Sequence, residues 1–296
     1  MPESAAKPTV EEKPAVAKKP GVRPDLATLA GLALAALGIV GGLLLEKGQI
    51  QDVAQGTAAL IVLGGTLGAV LVTSPLAVVL RAVRGLGSVF FERANNAREV
   101  IDMIIGFAAK ARKNGIVSLE ADAATVTDPF LRKALNLAVD GTDLQELRKM
   151  MELDTALTEQ AGEDEAKVWE AAGGYAPTIG IIGAVMGLIQ VMKHLEDIKE
   201  VGHGIAVAFV ATVYGVGSAN IFFLPAAGKL RARMREAMLL NEMILEGVIG
   251  IVEGLNPTLI RMKLDSYCPR PPVNAKAKSG GEAPAKGAGN PAPAAN

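Results

Sequence analysis

Long uncharged segments alternate with charged ones along the chain. Four segments contain no Asp, Glu, Lys or Arg, and they cover residues 26–45, 53–80, 171–192 and 201–228. Each reaches the roughly 20 apolar residues that an α-helix needs to cross a bilayer core. Because backbone polar groups in lipid must be satisfied within the segment, the pattern predicts four transmembrane helices. The first run exceeds the about 7–15 apolar residues of a signal peptide, so we expect it to be retained.

The segment between the second and third runs, residues 81–170, has a helical pattern but is too polar to cross a membrane. Predicted helices cover residues 98–114, 128–139 and 142–170. Gly115 and Gly141 are expected to end the first two, and Asp128 followed by proline is a helix-start signal. The predicted fold is therefore an all-α membrane protein: four transmembrane helices with a helical cytoplasmic insert between helices two and three.

The remaining segments flank these units. Apolar residues at helical spacing predict an amphipathic helix within residues 229–268, which we interpret as an extension of helix four. The terminal segments are rich in Pro, Ala and Lys without an apolar period, so residues 1–24 and 269–296 are predicted to be disordered tails. The predicted helix pairs then occupy residues 25–80 and 171–228.

Basic residues are concentrated on one side of the predicted spans. The loop between helices one and two holds only Lys47. Basic residues precede the first span, follow the second and follow the fourth: Lys7, Lys13, Lys18, Lys19, Arg23, Arg81, Arg84, Arg93, Arg98, Lys229, Arg231, Arg233 and Arg235. The positive-inside rule then places both termini and the insert in the cytoplasm of a multi-pass inner-membrane protein.

Composition narrows the function. The 33 glycines and the low aromatic content of 4% suit helices that pack closely in lipid, and Gly180, Gly183, Gly187 and Gly215 are the candidate contacts. The net charge of −1 argues against nucleic-acid binding. Enzyme motifs such as a phosphate loop, G-x-S-x-G or H-E-x-x-H are missing, so we expect neither catalysis nor a cofactor. The lone Cys268 and the two histidines follow no metal-ligand pattern.

The uncharged spans also argue against a self-contained transporter. A charge at mid-membrane costs about 2.5–3.5 kcal/mol on insertion scales, and transporters generally retain one for function. None of the four runs contains such a group. If an ion crosses this protein, the titratable carboxylate must come from a partner.

Several segments together resemble the MotA family of flagellar stator A subunits. They are residues 175–187 (YAPTIGIIGAVMG), 109–120 (AKARKNGIVSLE), 211–225 (ATVYGVGSANIFFLP) and 242–257. In the second segment a basic residue precedes a glutamate by eight positions. The four segments occur in the family's order and cover about residues 25–268.

The resemblance implies a function and a set of partners. Five copies would surround a dimer of a MotB-type B subunit, whose single helix carries the proton-binding aspartate. Pro177 and Pro225 match prolines near that aspartate, and Thr212 matches a threonine of the ion route. Arg112 and Glu120 match the charged pair that engages the FliG-type rotor protein. The implied role is the channel-forming subunit of a stator that couples ion flow to torque.

The choice of ion depends on few positions. Sodium-driven relatives place a threonine where this chain has Ala184 and tend to pair threonines where it has Ala211 and Thr212, so we expect H⁺ rather than Na⁺. Tyr214 and Asn220 are closer to the sodium-type branch. A TolQ/ExbB-like energiser and a gliding-motility motor remain alternatives, although the hairpin of two spans at the N-terminal side argues against the former.

Overall fold

The computed structural model describes residues 22–93 and 97–268, and nearly all of this length is helical. Residues 1–21 and 269–296 of the two predicted tails lie outside the described residues. The last residues of the first tail, Val22–Pro24, form a short strand instead of continuing an irregular tail.

The first half of the described chain begins with this strand. It comprises β1 (Val22–Pro24), α1 (Leu26–Leu45), α2 (Ile50–Val53), α3 (Gly56–Ala59), a π-helical turn (Leu60–Gly64), α4 (Gly65–Thr73), α5 (Leu76–Gly85), α6 (Gly87–Phe90) and β2 (Phe91–Arg93).

The second half is built around two very long helical stretches. It comprises α7 (Ala97–Asn114), a 3-10 turn (Ile116–Leu119), α8 (Glu120–Thr125), α9 (Pro129–Val139), α10 (Leu144–Lys193), α11 (Ile198–Gly217), a second π-helical turn (Ser218–Phe223), α12 (Leu224–Val252) and α13 (Pro257–Asp265).

Four helical stretches of the described chain are long and apolar enough to cross a membrane, which confirms the predicted fold class. They are Leu26–Leu45, Ile50–Thr73, Leu144–Lys193 and Ile198–Val252. The last two extend well beyond the apolar runs. Helix α12 continues the fourth span without interruption, as the amphipathic pattern after residue 229 indicates.

The second span is shifted relative to its uncharged run. Its helix begins at Ile50 and includes Asp52, whose carboxylate accepts a hydrogen bond from the Gln49 amide at 2.8 Å and so caps the first turn. At the other end the helix stops at Thr73, because Pro75 has no N–H and Ser74 adopts an extended backbone. The last apolar residues of the run therefore belong to a separate helix, α5.

Helices α7, α9, α12, α13 and the first part of α10 form an extramembrane domain with one core. Its fully buried side chains are large and aliphatic, and they include Ile104, Leu131, Leu135, Met151 and Ile244. This density of buried Ile, Leu and Met is typical of a water-soluble helical domain, in which the hydrophobic effect drives packing.

Three glycine turns lie at the end of this domain that is farthest from the membrane. Gly115, Gly141 and Gly254 follow α7, α9 and α12 with φ of 80°, 73° and 69°, a backbone region that glycine adopts without a steric cost. Helix α10 runs from this end to its apolar run at residue 171, a length of about 40 Å at 1.5 Å per residue. The domain therefore projects a tip, defined here as these three turns and their neighbours.

Candidate ion route and extramembrane contact site

Helices α10 and α11 contact each other backbone to backbone inside the apolar region. A methyl group built on Gly215 would lie 2.5 Å from the carbonyl oxygen of Ala176, and one built on Gly180 would lie 2.9 Å from that of Ala211. Cβ atoms do not occur at such distances, so each position requires glycine as long as the helices keep this separation. Lipid provides no hydrophobic driving force for helix association. The helices instead gain van der Waals contacts from the close backbone approach that glycine permits.

The other two predicted packing glycines extend this contact towards the loop between α10 and α11. A methyl group on Gly183 would lie 2.8 Å from the Ala211 Cβ, and one on Gly187 would lie 2.8 Å from the carbonyl oxygen of Gly204. We call the whole contact, from Gly173 to Gly187 on one helix and from Gly204 to Leu224 on the other, the glycine seam.

The four predicted ion-route residues lie on the two helical stretches that form this seam, spread along its length. Ala184 follows Gly183 at the level of Ala211, and Thr212 lies beside Gly180. Pro225 follows Leu224, whose side chain packs on Gly173 one helical turn before Pro177. The four residues therefore occupy successive levels of one helix pair over about 16 Å, the rise of eleven helical residues from Gly173 to Ala184.

Their chemistry is limited to weak acceptors. The Thr212 hydroxyl donates to the Ala208 carbonyl at 3.2 Å, so its proton is used and only its oxygen lone pairs remain for another donor. Pro177 has no N–H to donate to the Gly173 carbonyl one turn earlier. The seam can thus accept a hydrogen bond from a proton donor, but it has no group of its own that changes protonation near neutral pH.

Tyr214 is a seam residue whose role the sequence did not indicate. Its hydroxyl donates to the Val53 carbonyl at 2.6 Å and accepts from the Gln55 amide at 3.3 Å. Both partners belong to the break between α2 and α3, where helical hydrogen bonding is interrupted. The Gln55 amide also donates to the Val53 carbonyl at 3.0 Å, so the Tyr214 hydroxyl adds a second bond to each group and ties α11 to this break.

An ion-pair cluster ties the start of α1 to α12. Asp25, only 5% exposed, caps α1 by accepting from the amides of Ala27 and Thr28 at 3.1 Å. Its carboxylate also lies 2.5 Å from the Lys229 ammonium and 2.8 Å from the Arg233 guanidinium. The Lys229 hydrogen bond, followed by that of the Thr28 amide, lowers the pKa of Asp25 to about 2. The cap could have been recognised from Asp25 preceding an apolar run, but its basic partners could not.

Backbone pairing holds the same junction. β1 and β2 form an antiparallel pair in which Arg23 lies opposite Glu92, and the Asp25 amide donates to the Phe90 carbonyl at 2.8 Å. These contacts position the N-terminal side of α1, a helix that has no buried residue along its length.

The predicted rotor-contact residues lie at the extramembrane tip. Arg112 is exposed near the end of α7, and Glu120 is exposed at the start of α8. Within the described ranges 22–93 and 97–268, neither takes part in an ion pair, and they do not pair with each other. The bridge between α7 and α8 is instead Lys110 to Asp122, at 2.6 Å. Both charges of the predicted pair therefore remain available to another molecule.

Comparison with known proteins places these features in a family. Residues 122–243 match the MotA/TolQ/ExbB proton channel family, and residues 29–115 match the Motility protein A N-terminal family. Motility protein A of Bacillus subtilis is 34% identical over 247 residues, which are 83% of this chain and 91% of that protein. Chemotaxis protein PomA of Vibrio alginolyticus is 33% identical over 82% of this chain and 95% of that protein.

Solved structures agree with the sequence relatives. The C. jejuni MotAB structure contains a chain that is 32% identical, with a TM-score of 0.79 and coverage of 83% of this chain and 96% of that one. The flagellar MotAB stator complex from Bacillus subtilis contains one that is 33% identical, with a TM-score of 0.75. With four membrane helices, the glycine seam and this similarity along most of its length, the chain belongs to the Motility protein A family of membrane-embedded flagellar stator subunits, within the MotA/TolQ/ExbB proton channel family.

Proposed function

We propose that this subunit lines a proton route along the glycine seam and that a MotB-type partner supplies the titratable aspartate. One observation carries the proposal: the seam holds the Thr212 hydroxyl across from Gly180 but contains no Asp, Glu, Lys or Arg. A proton carrier needs a group that gains and loses a proton, and such groups are retained in membranes only for function. Because the seam has only hydrogen-bond acceptors, it needs a titratable group from the partner to carry protons.

The assembly that we propose is a ring of five copies around a dimer of the B subunit, in the inner membrane with both termini in the cytoplasm. The resemblance to solved MotAB complexes supports the B-type partner in this assembly. The distribution of basic residues supports the orientation. The tip then faces the cytoplasm and a FliG-type rotor protein.

The ion that we propose is H⁺. A sodium ion exchanges its hydration shell for several oxygen ligands, whereas a proton needs a single acceptor. The seam offers the Thr212 hydroxyl on α11, and the neighbouring positions Ala184 and Ala211 have no side-chain oxygen. With so few side-chain oxygen ligands at this depth of the membrane, we expect the route to conduct H⁺ rather than Na⁺.

Torque is proposed to follow from neutralisation of the partner's aspartate. Binding of a proton removes a charge beside the two prolines and changes which packing of the seam against the partner is favoured. Each elementary charge that crosses provides about 2.3 kcal/mol per 100 mV. The ring then turns around the B dimer, and Arg112 and Glu120 at the tip push the rotor.

The test is ion flux into vesicles that hold this chain with its B-type partner. We expect proton flux that is independent of sodium and that disappears when the partner's aspartate is replaced by asparagine. Proton flux through this chain without the partner would contradict the proposal that the partner supplies the titratable aspartate. In the same vesicles Ala184→Thr should introduce a sodium dependence, while Ala36→Thr on the exposed surface of α1 serves as the matched control. Sodium-dependent flux in the unmodified complex would overturn the proton assignment alone.

A further inference from the structure

A cavity opens at the extramembrane tip, directly beside Arg112. Its volume is about 360 Å³, and its walls come from the end of α7, the turn between α9 and α10, and the turn after α12. It lies next to the core of the domain, which elsewhere is filled by fully buried Leu, Ile and Met side chains. Protein interiors have few voids of this size, so an opening at a surface is a place that an outside group can enter.

Small residues create the space. Ala111 and Ala138 line the cavity on α7 and α9, and Gly141 and Gly254 line it on the two turns. Methyl groups built on either glycine would meet no atom within 4 Å, so nothing in the fold fills the volume in front of them. Apart from Thr142 and Arg112, the walls are aliphatic, as at Ile251. Such a cavity suits an apolar side chain.

The cavity has one charged wall residue, Arg112. Its guanidinium forms no ion pair with any residue of the two described ranges. An arginine beside an apolar recess can hold a carboxylate through two parallel hydrogen bonds, which gives a contact both strength and orientation. The recess and the guanidinium together favour a partner that presents an apolar group next to an acidic one.

We propose that this cavity binds an apolar side chain on a helix of the rotor protein, while a carboxylate one turn away on that helix pairs with Arg112. The inference rests on the proposed rotor contact and adds an apolar anchor to it. On a helix, residues three or four apart lie on the same face, so one segment supplies both groups. The tip lies about 40 Å from the apolar region, which excludes lipid as the occupant.

The two parts of this contact respond differently to salt. The pair at Arg112 is exposed and is screened as ionic strength rises, whereas burial of an apolar group is not. A rotor contact made only of charges would vanish at high salt. The anchored contact retains a salt-insensitive component of its affinity.

The experiment measures binding of the cognate rotor protein to the purified complex of this chain with its B-type partner, at low and high salt. Ala111→Phe fills the cavity, and Ala109→Phe places the same ring on the exposed face of α7 as the matched control. We expect Ala111→Phe to weaken binding at least about tenfold at both salt concentrations, and Ala109→Phe to leave it unchanged. Arg112→Ala should weaken binding mainly at low salt.

A second filling variant guards against a folding defect. Thr142→Leu enters the cavity from the opposite wall, and it should reproduce the loss of binding with an unchanged melting temperature. If both filled variants bind normally while Arg112→Ala does not, the anchor is wrong and the rotor contact stands. If none of the three changes binding, the rotor contact itself is wrong.

Discussion

Helix α10 packs along one continuous partner, α11 followed by α12, but the two halves of this contact use different physics. In the apolar half the helices meet through glycines, and the closest neighbours of Gly180 and Gly215 are backbone atoms. In the extramembrane half the interface contains Arg231, which lies 2.8 Å from Glu163 and 2.5 Å from Glu170, and farther along the helix pair it merges with the aliphatic core.

The difference follows from the solvent on each side. In water, burial of large apolar side chains stabilises the contact, at about 25 cal/mol per Å² of buried area. In lipid that gain vanishes, because an exposed leucine is already in an apolar environment, and stability comes from close backbone approach. Ion pairs follow the same division. They lie in the extramembrane half, where water can solvate a charge that is not fully paired, whereas lipid cannot. The pKa of Glu163 is lowered by its hydrogen bond from Arg231, which keeps this pair charged.

The largest expected effect is a loss of side-chain volume in the aliphatic core. Ile244 is fully buried in that core, and Ile244→Ala should destabilise the extramembrane domain by about 2–5 kcal/mol through lost transfer energy and a cavity. The exposed Leu239→Ala on the same helix is the control and should change little. Thermal unfolding in detergent, followed by protease resistance of the domain, measures both. Equal effects would contradict the assignment of a core here.

The glycine seam should respond to the opposite change, a gain of one carbon. Gly215→Ala places a methyl group 2.5 Å from the Ala176 carbonyl oxygen, so the helices must separate, at a cost of about 1–3 kcal/mol. Gly217→Ala lies in the same helix with no atom within 4 Å of the new methyl, and should be neutral or slightly stabilising. The measurement is the melting temperature in detergent, with motility as a second readout. A stable Gly215→Ala protein would mean that the seam is looser than described.

The smallest effect is expected where the two regions meet, at Asp25. Asp25→Asn keeps the shape but removes the charge that faces Lys229 and Arg233, and should cost about 1–2 kcal/mol. Because the folded-state pKa is lowered from 3.8 to about 2, the contribution of the carboxylate is present above pH 3.8 and is lost as the pH falls towards 2.

This pH dependence supplies the check. Unfolding measured between pH 5 and pH 2 should show the difference between Asp25→Asn and the unmodified protein shrink over that range. The control is Asp52→Asn, which changes an exposed helix-capping carboxylate that accepts a hydrogen bond from the Gln49 backbone amide. A difference that persists at pH 2 would assign the stabilisation to shape rather than to charge.

Sequence patterns were sufficient for the number of spans and for the ends of α7 and α9, whereas the helix predicted at residues 142–170 is continuous with the third span in α10. The cost of unsatisfied backbone groups in lipid makes an uncharged run of 20 residues a helix almost regardless of context. Gly115 and Gly141 end helices because their positive φ is a local property. The same reasoning misplaced the second span, where Pro75 ends the helix inside an apolar run and a capping Asp52 lies within its first turn.

Contacts between distant residues could not be read in this way. Asp25 meets Lys229, and Tyr214 meets Val53, only because the helices between them are packed in one particular arrangement. The cavity beside Arg112 is formed where three separate turns converge. Lipid and water act on each segment alone, and so they leave a local signal in the chain. The pairing of helices depends on shape complementarity between surfaces, and this has no local signal.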